Sequence, residues 1–316
     1  MFFSLFASIL ISGEVVESFK VFIRYASYLV LPLFIYNLIR FIKVDVAFVF
    51  LALIPYILLP FGKFYLVEEL TGLSRYSFVF SHPNHFAYYL VPIAAYFLFI
   101  TKRDYVLTYS FAFSAVLFML LLSKSSGGIF VILVLILYKY RTKLVRPSGL
   151  FLLATISPLL FIFGFADKFL DQIMFLNQIN LSDLLSRDNL GGSGSLSWRL
   201  VYWLMILKSF FDSDILHIIF GNGLATMSYG SYAYSFMYTD PHNDFIRILV
   251  EQGIIGLILF VLLLVLIIRK FKILSMPLLI LIFMPMFIGN IIVNPVFVLL
   301  TIVGFLDLYR KQYYEI

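Results

Sequence analysis

The sequence contains no cysteine, which excludes disulfides and thiolate metal centres and leaves the redox compartment undefined. Charge is scarce as well: Asp, Glu, Lys and Arg together supply only 13% of the 316 residues, well below the share of a soluble domain. There is no Gly-rich phosphate loop, no H-E-x-x-H and no G-x-S-x-G, so nucleotide hydrolysis has no support in the sequence. No basic run sits on a soluble surface. The net charge of +6 is therefore explained by membrane topology and not by a nucleic-acid partner.

What is present in excess is apolar surface. Hydrophobic residues make up 62% of the chain and the mean hydropathy is +1.02. A soluble fold cannot bury that much, and many stretches approach the ~20 apolar residues that cross a bilayer. These observations predict an all-α, polytopic transmembrane helical bundle. Apolar windows fall near 1–12, 21–39, 44–62, 85–100, 105–122, 127–140, 149–165, 244–268, 276–293 and 296–309, which gives about nine or ten spans. The first is short and has no basic flank of the kind that opens a signal peptide, so cleavage is not expected. Except in one place the connectors are too short to fold separately, so residues 1–316 are read as a single integral membrane domain.

Lys and Arg content fixes the orientation. Arg40 and Lys43, then Lys102 and Arg103, then Lys139, Arg141, Lys143 and Arg146, then Arg269, Lys270 and Lys272, and finally Arg310 and Lys311 lie on alternate connectors. Their common side is assigned to the cytoplasm. The outside then holds 63–84, a hinge at Leu122–Ser126 and one long loop, 166–243. Loops beyond ~12–15 residues inside a compact fold are usually functional or disordered. This one has a Gly/Ser linker (Gly191, Gly192, Ser193, Gly194, Ser195) and then "WRLVYWLMILKSFF", expected as a helix lying in the membrane interface. After it come "GNG" at 221–223 and Tyr229, Tyr232, Tyr234 and Tyr238.

The polar residues concentrate on that outer side. His82, His85, His217 and His242 are all there, with Lys124, Arg187, Arg199 and Arg247. External cations run against the positive-inside bias, and each needs a local reason. In "DPHNDFIRILVEQGIIG" (240–256), Asp240 is a good N-cap and Pro241 suits the first helical position. That reading puts His242 and Asn243 in the first turn, at the positive end of the helix dipole. Arg247 and Glu251 share a face, with Asp244 three residues before Arg247; they line a polar cavity or simply pair with one another. Gly253 and Gly256 would let this helix pack closely against a neighbour. Arg199, beside Trp198 and a turn before Tyr202 and Trp203, either clamps a diphosphate or snorkels from an interfacial helix. Lys124 in "SKSSGG" is an anion contact or an interfacial anchor. In "SHPNHFAYYLVP", His82 and His85 have no further metal-ligand partner nearby, and Asn84 serves as a cap or a substrate hydrogen-bonding group.

Taken in order, "PNHFAYYL", "LLSKSSGG", "WRLVYW…FGNGL" and "HNDFIRILVEQGIIG" resemble the bacterial O-antigen ligase and polymerase superfamily over about residues 80–270. The resemblance implies a glycosyltransferase of the cytoplasmic membrane that works on the outer face. Its donor would be an undecaprenyl-diphosphate-linked oligosaccharide, its transfer inverting, with no metal, nucleotide sugar or other cofactor. His242 would be, or orient, the base. Arg199, Lys124 and Arg247 would hold the donor diphosphate, with Asn84, Asn243 and Glu251 supporting substrate. The family often has Ser-Arg where this chain has Ser123-Lys124, which keeps the charge and loses the bidentate fork. The family also usually has more spans, the additional ones N-terminal. Of the two acceptors, a second lipid-linked repeat (polymerase) is preferred to lipid A core or another acceptor (ligase). A flippase and a chain-length regulator are the expected protein partners. A transporter would need repeats or broken spans at matching positions, and none is found. A structural subunit would leave His242 and the external cations unexplained.

Overall fold

The computed structural model describes residues 2–12, 14–68, 73–100, 105–144, 194–227 and 240–313. The span expected at 149–165, Arg187, Gly191 to Ser193 and the four loop tyrosines lie outside the described residues. Within them the chain is all-α apart from one hairpin. The helices are α1 (Phe2–Ile11), α2 (Val15–Leu38), α3 (Val44–Ile57), α4 (Pro83–Phe99), α5 (Val106–Ser123), α6 (Ser126–Leu144), α7 (Gly194–Phe211), α8 (Ile215–Phe220), α9 (Asp244–Lys270), α10 (Ser275–Ile288) and α11 (Pro295–Tyr313). Strands β1 (Lys63–Glu68) and β2 (Leu73–Phe78) pair antiparallel between α3 and α4. Helices α2, α5 and α9 are long and apolar enough to cross a membrane, and α3, part of α7 and α10 are shorter apolar helices. This is a membrane protein.

The chain packs as two compact units, residues 1–22 with 140–260 and residues 23–139 with 261–316. In the second unit α4 is the buried centre. Phe86, Leu90, Ile93, Ala94, Ala95 and Tyr96 are all closed off from the surface, as expected for a helix apolar on every face. Its start follows from local chemistry: Pro83 takes the first helical position, and His82 accepts the Asn84 N–H through Nδ1 at 3.1 Å. The hairpin sits over this end of α4, with Tyr76 of β2 edge-on to Phe86 at 5.6 Å between ring centres. Gly128 of α6 lets that helix close on α4, since a Cβ there would meet Ala87 at 3.1 Å. Close packing thus accounts for one glycine of "SKSSGG".

At the other end of α4, charge is buried in the same unit. Tyr96 donates to Asp307 of α11 at 2.7 Å, Lys311 pairs with Asp307 at 2.6 Å, and Lys311 also lies 3.7 Å from Asp45. Tyr109 of α5 completes the set by donating to Asp45 at 3.1 Å. A lysine and two carboxylates inside apolar surroundings persist only because they satisfy one another.

The first unit is organised by α7 and the first part of α9. Tyr202, Trp203, Ile206 and Phe210 recur at helical spacing and form one core with Ile246 and Val250. The "WRLVYW" stretch is helical as expected, and the helix already begins at Gly194, inside what the composition suggested was linker.

Candidate functional site

In the first unit, α9 does not start where the sequence suggested. Asn243 is the N-cap: its Oδ1 accepts the N–H groups of Phe245 and Ile246 at 3.0 and 3.1 Å. Asp240 instead closes a tight turn, its Oδ1 accepting the His242 N–H at 3.0 Å. His242 itself lies before the helix, with φ 50. The physical reason is local: a left-handed residue cannot sit in an α-helical first turn, and Asn is at least as good a cap as Asp. His242 is therefore held on a turn next to the helix start and not within it.

Asp240 does more than shape the turn. Its second oxygen pairs with the Arg247 guanidinium, whose other amino group lies 3.6 Å from Glu251 Oε1. Arg247 is 2% exposed and Glu251 0%. Glu251 also accepts the Met227 N–H at 3.3 Å. The expected Arg247–Glu251 pair is present, and the second carboxylate facing Arg247 is Asp240 in addition. Helix α7 reaches the same turn, since the Trp203 indole N–H donates to the Pro241 carbonyl at 2.6 Å. Half-buried Arg199 lies four residues earlier, about one turn along the same helix. His242, Asn243, Arg247 and Glu251 thus belong to one packed arrangement, and Arg199 lies on the helix that meets it. His217 stands on the short α8, where it pairs with Asp214 on the surface.

Helix α9 is interrupted at Gly253, which has φ 68 and ψ −173. Gly253 does allow close packing, against Ile219 of α8, and it also breaks the helix, which the sequence did not suggest. The "GNG" loop fills the break, with the Asn222 N–H donating to Val250 O at 2.8 Å and the Gly223 N–H to Glu251 O at 3.1 Å. A Cβ on Gly253 would stand 2.2 Å from the Ile219 carbonyl oxygen, and one on Gly221 would stand 2.4 Å from that of Glu251. The loop is gripped from its other side by the N-terminal segment, where Leu224 N–H donates to Ser8 O at 3.1 Å and the Ser18 hydroxyl donates to Leu224 O at 2.6 Å. The polar half of α9, Asp244–Gln252, is thereby separated from the apolar run behind it.

The second unit holds a separate polar cluster with Asn84 and Lys124. Lys124 is exposed and caps α5 in a left-handed conformation, φ 48. Asn84 Oδ1 accepts from Arg75 at 2.9 Å and from the Ser125 hydroxyl at 3.3 Å. Arg75 also donates through Nε to the Ser123 carbonyl at 2.9 Å. Burial, followed by the Arg75 charge and His85, holds the His82 imidazole below its ordinary pKa, which suits its Nδ1 as an acceptor. Sequence reasoning missed Arg75. The signal was available, because it is another cation in the 63–84 segment expected on the outside, where positive charge is disfavoured. Among the described residues no group of three or more His, Cys, Asp or Glu converges as a metal site.

A family model described as O-antigen ligase matches residues 110–261. The match takes in Lys124, Arg199, His242, Asn243, Arg247 and Glu251 and leaves out Arg75 and Asn84. No curated protein matches the chain.

Proposed function

We propose, on the match of residues 110–261 to a family model described as O-antigen ligase, that the chain transfers a saccharide from an undecaprenyl-diphosphate carrier to an acceptor hydroxyl at the outer face of the cytoplasmic membrane. The observation that carries this reading is His242. It sits in a strained turn that Asp240, Trp203 and the Asn243 cap hold from three sides. Backbone strain of that kind persists only where its surroundings over-determine it, and it gathers at functional sites.

In the proposed reaction, His242 accepts the proton of the acceptor hydroxyl as that oxygen attacks the anomeric carbon. The bond from that carbon to the diphosphate oxygen breaks, its electron pair leaves with undecaprenyl diphosphate, and the configuration inverts. Arg199 and Lys124 are the cations for the departing charge. Asn84 and Asn243 support the substrates, and no cofactor enters the scheme. Arg247 takes a different part from the diphosphate contact first expected of it. Buried between Asp240 and Glu251, it braces the turn that carries His242.

The acceptor we favour is a second lipid-linked repeat, which makes the enzyme a polymerase of O-antigen, capsule or exopolysaccharide. The second reading is a ligase acting on lipid A core or another acceptor, the activity named in the description of the matching family model. Replacing His242 by Ala tests both. The variant should reach the membrane at normal abundance and lose long glycan chains. If single repeats are still attached, the enzyme is a polymerase; if nothing is attached, it is a ligase. Unchanged glycan at normal abundance would remove His242 from the chemistry.

A further inference from the structure

Arg75 plays no part in the scheme above. It stands in β2 opposite Tyr65, half-buried, with both of its hydrogen bonds to neutral oxygens: the Ser123 carbonyl and Asn84 Oδ1, each at 2.9 Å. Among the described residues it makes no ion pair. Ser123 ends α5, so a guanidinium on its carbonyl is a sound cap at the negative end of that helix. The residues around that cap give it a second consequence. Asn84 Oδ1 also accepts from the Ser125 hydroxyl at 3.3 Å. Arg75 thereby holds Ser123 directly and Ser125 through a shared acceptor, and between those two residues stands Lys124.

Lys124 has φ 48, a conformation that a side chain with a β-carbon rarely adopts unless it is held there. Its ammonium is exposed and makes no hydrogen bond or ion pair among the described residues. An anchor lysine at a membrane interface needs no such restraint, because a flexible chain snorkels without it. A lysine meant to meet a ligand in one direction does need it.

We infer that Arg75 is a positioning residue that fixes the left-handed Lys124 between Ser123 and Ser125 and so aims its ammonium at the lipid-linked diphosphate. This rests on the donor role proposed for Lys124, and the test separates the two.

The full chain is reconstituted in lipid nanodiscs and titrated with undecaprenyl diphosphate, the leaving group common to both acceptor readings. The chains compared are wild type, Arg75→Gln, Arg75→Lys, Lys124→Ala and the Arg75→Gln/Lys124→Ala double variant. The three single variants each weaken binding by roughly tenfold, the scale of one charge-assisted hydrogen bond. The double variant binds no more weakly than Lys124→Ala, because Arg75 has nothing left to aim. Arg75→Lys retains the charge and cannot span both acceptors, so wild-type affinity for that variant overturns the inference. A full additional loss in the double variant also overturns it, since Arg75 then acts on its own, while the donor role of Lys124 stands. If Lys124→Ala binds like wild type, the donor role fails and the inference fails with it. Thermal unfolding of each variant reports folding separately.

Discussion

His242 and Lys124 share φ values of 50 and 48, and neither is the glycine or asparagine that such a conformation favours. Each costs about 1–3 kcal/mol of strain. Phe78, Ala225 and Lys272 share the conformation, so strain does not mark a site by itself; the proposed site rests on its coincidence with a histidine and a lysine expected on the outer side. His242→Asn should therefore be as stable as wild type or more so, by up to about 1 kcal/mol, because asparagine tolerates this region better. It should also lack long glycan. A melting curve and a glycan gel on one preparation check both halves. Arg247→Met leaves Glu251 and Asp240 unpaired, and losing one partner of a buried ion pair costs about 3–5 kcal/mol. Its expected signature is a lowered melting temperature and low membrane abundance; normal stability with lost donor binding would return Arg247 to the diphosphate. Trp203→Phe keeps an aromatic ring and removes the donor to the Pro241 carbonyl. Turnover should drop while stability changes by only about 1 kcal/mol.

At the scale of elements, the start of α4 and the break in α9 each depend on one residue. The cap of α4 depends on neutral His82 Nδ1, and burial, with the Arg75 charge behind it, lowers the pKa of that imidazole. Protons then bind the unfolded chain more readily than the folded one. The stabilisation is complete above the ordinary histidine value of about 6.5 and is lost as pH falls from there through the depressed folded value. His82→Asn, which caps without titrating, should flatten the melting temperature between about pH 5 and 7. Helix α9 depends on its break. Gly253→Ala would meet the Ile219 carbonyl oxygen at 2.2 Å in a backbone region alanine resists, and a loss above about 2 kcal/mol is expected in thermal unfolding. The composition of 240–256 made the glycines and their close packing visible and left the break at Gly253 hidden. Periodicity reports which residues share a face, and it carries no sign of φ. The hairpin was missed for a related reason: two short strands beside a membrane segment contribute too few alternations to stand out against aromatic-rich surroundings.

Across the whole molecule, apolar runs predicted helix positions well. The windows at 21–39, 85–100, 105–122 and 244–268 answer to helices Val15–Leu38, Pro83–Phe99, Val106–Ser123 and Asp244–Lys270. The absence of cysteine makes the proposed orientation easy to test. Single cysteines at Lys43 or Lys270 should be protected from an impermeant thiol reagent in intact cells, and one at Lys124 should react. Reversed labelling would overturn the outer-face assignment. Lys311, used in the sequence only as an inside marker, also pairs with Asp307 in the second unit. Charge counting could not reveal that, because a positive-inside residue and a buried ion-pair partner are written with the same letter.

By itself the sequence determined the class of protein, the places where helices run, the side expected to carry the chemistry, and the order of motifs that resembles a glycan ligase or polymerase. Those features depend on the free energy of moving about 20 contiguous residues into lipid and on short local patterns, and both are written along the chain. Tertiary structure decided the partners. Asp240 joins Glu251 on Arg247, Trp203 holds the turn before His242, the Gly221–Gly223 loop completes a broken helix, and Arg75 reaches the hinge at Lys124. A buried polar group must find some partner. Which one it finds depends on residues as far as 38 or 48 positions away, and only folding brings those within reach.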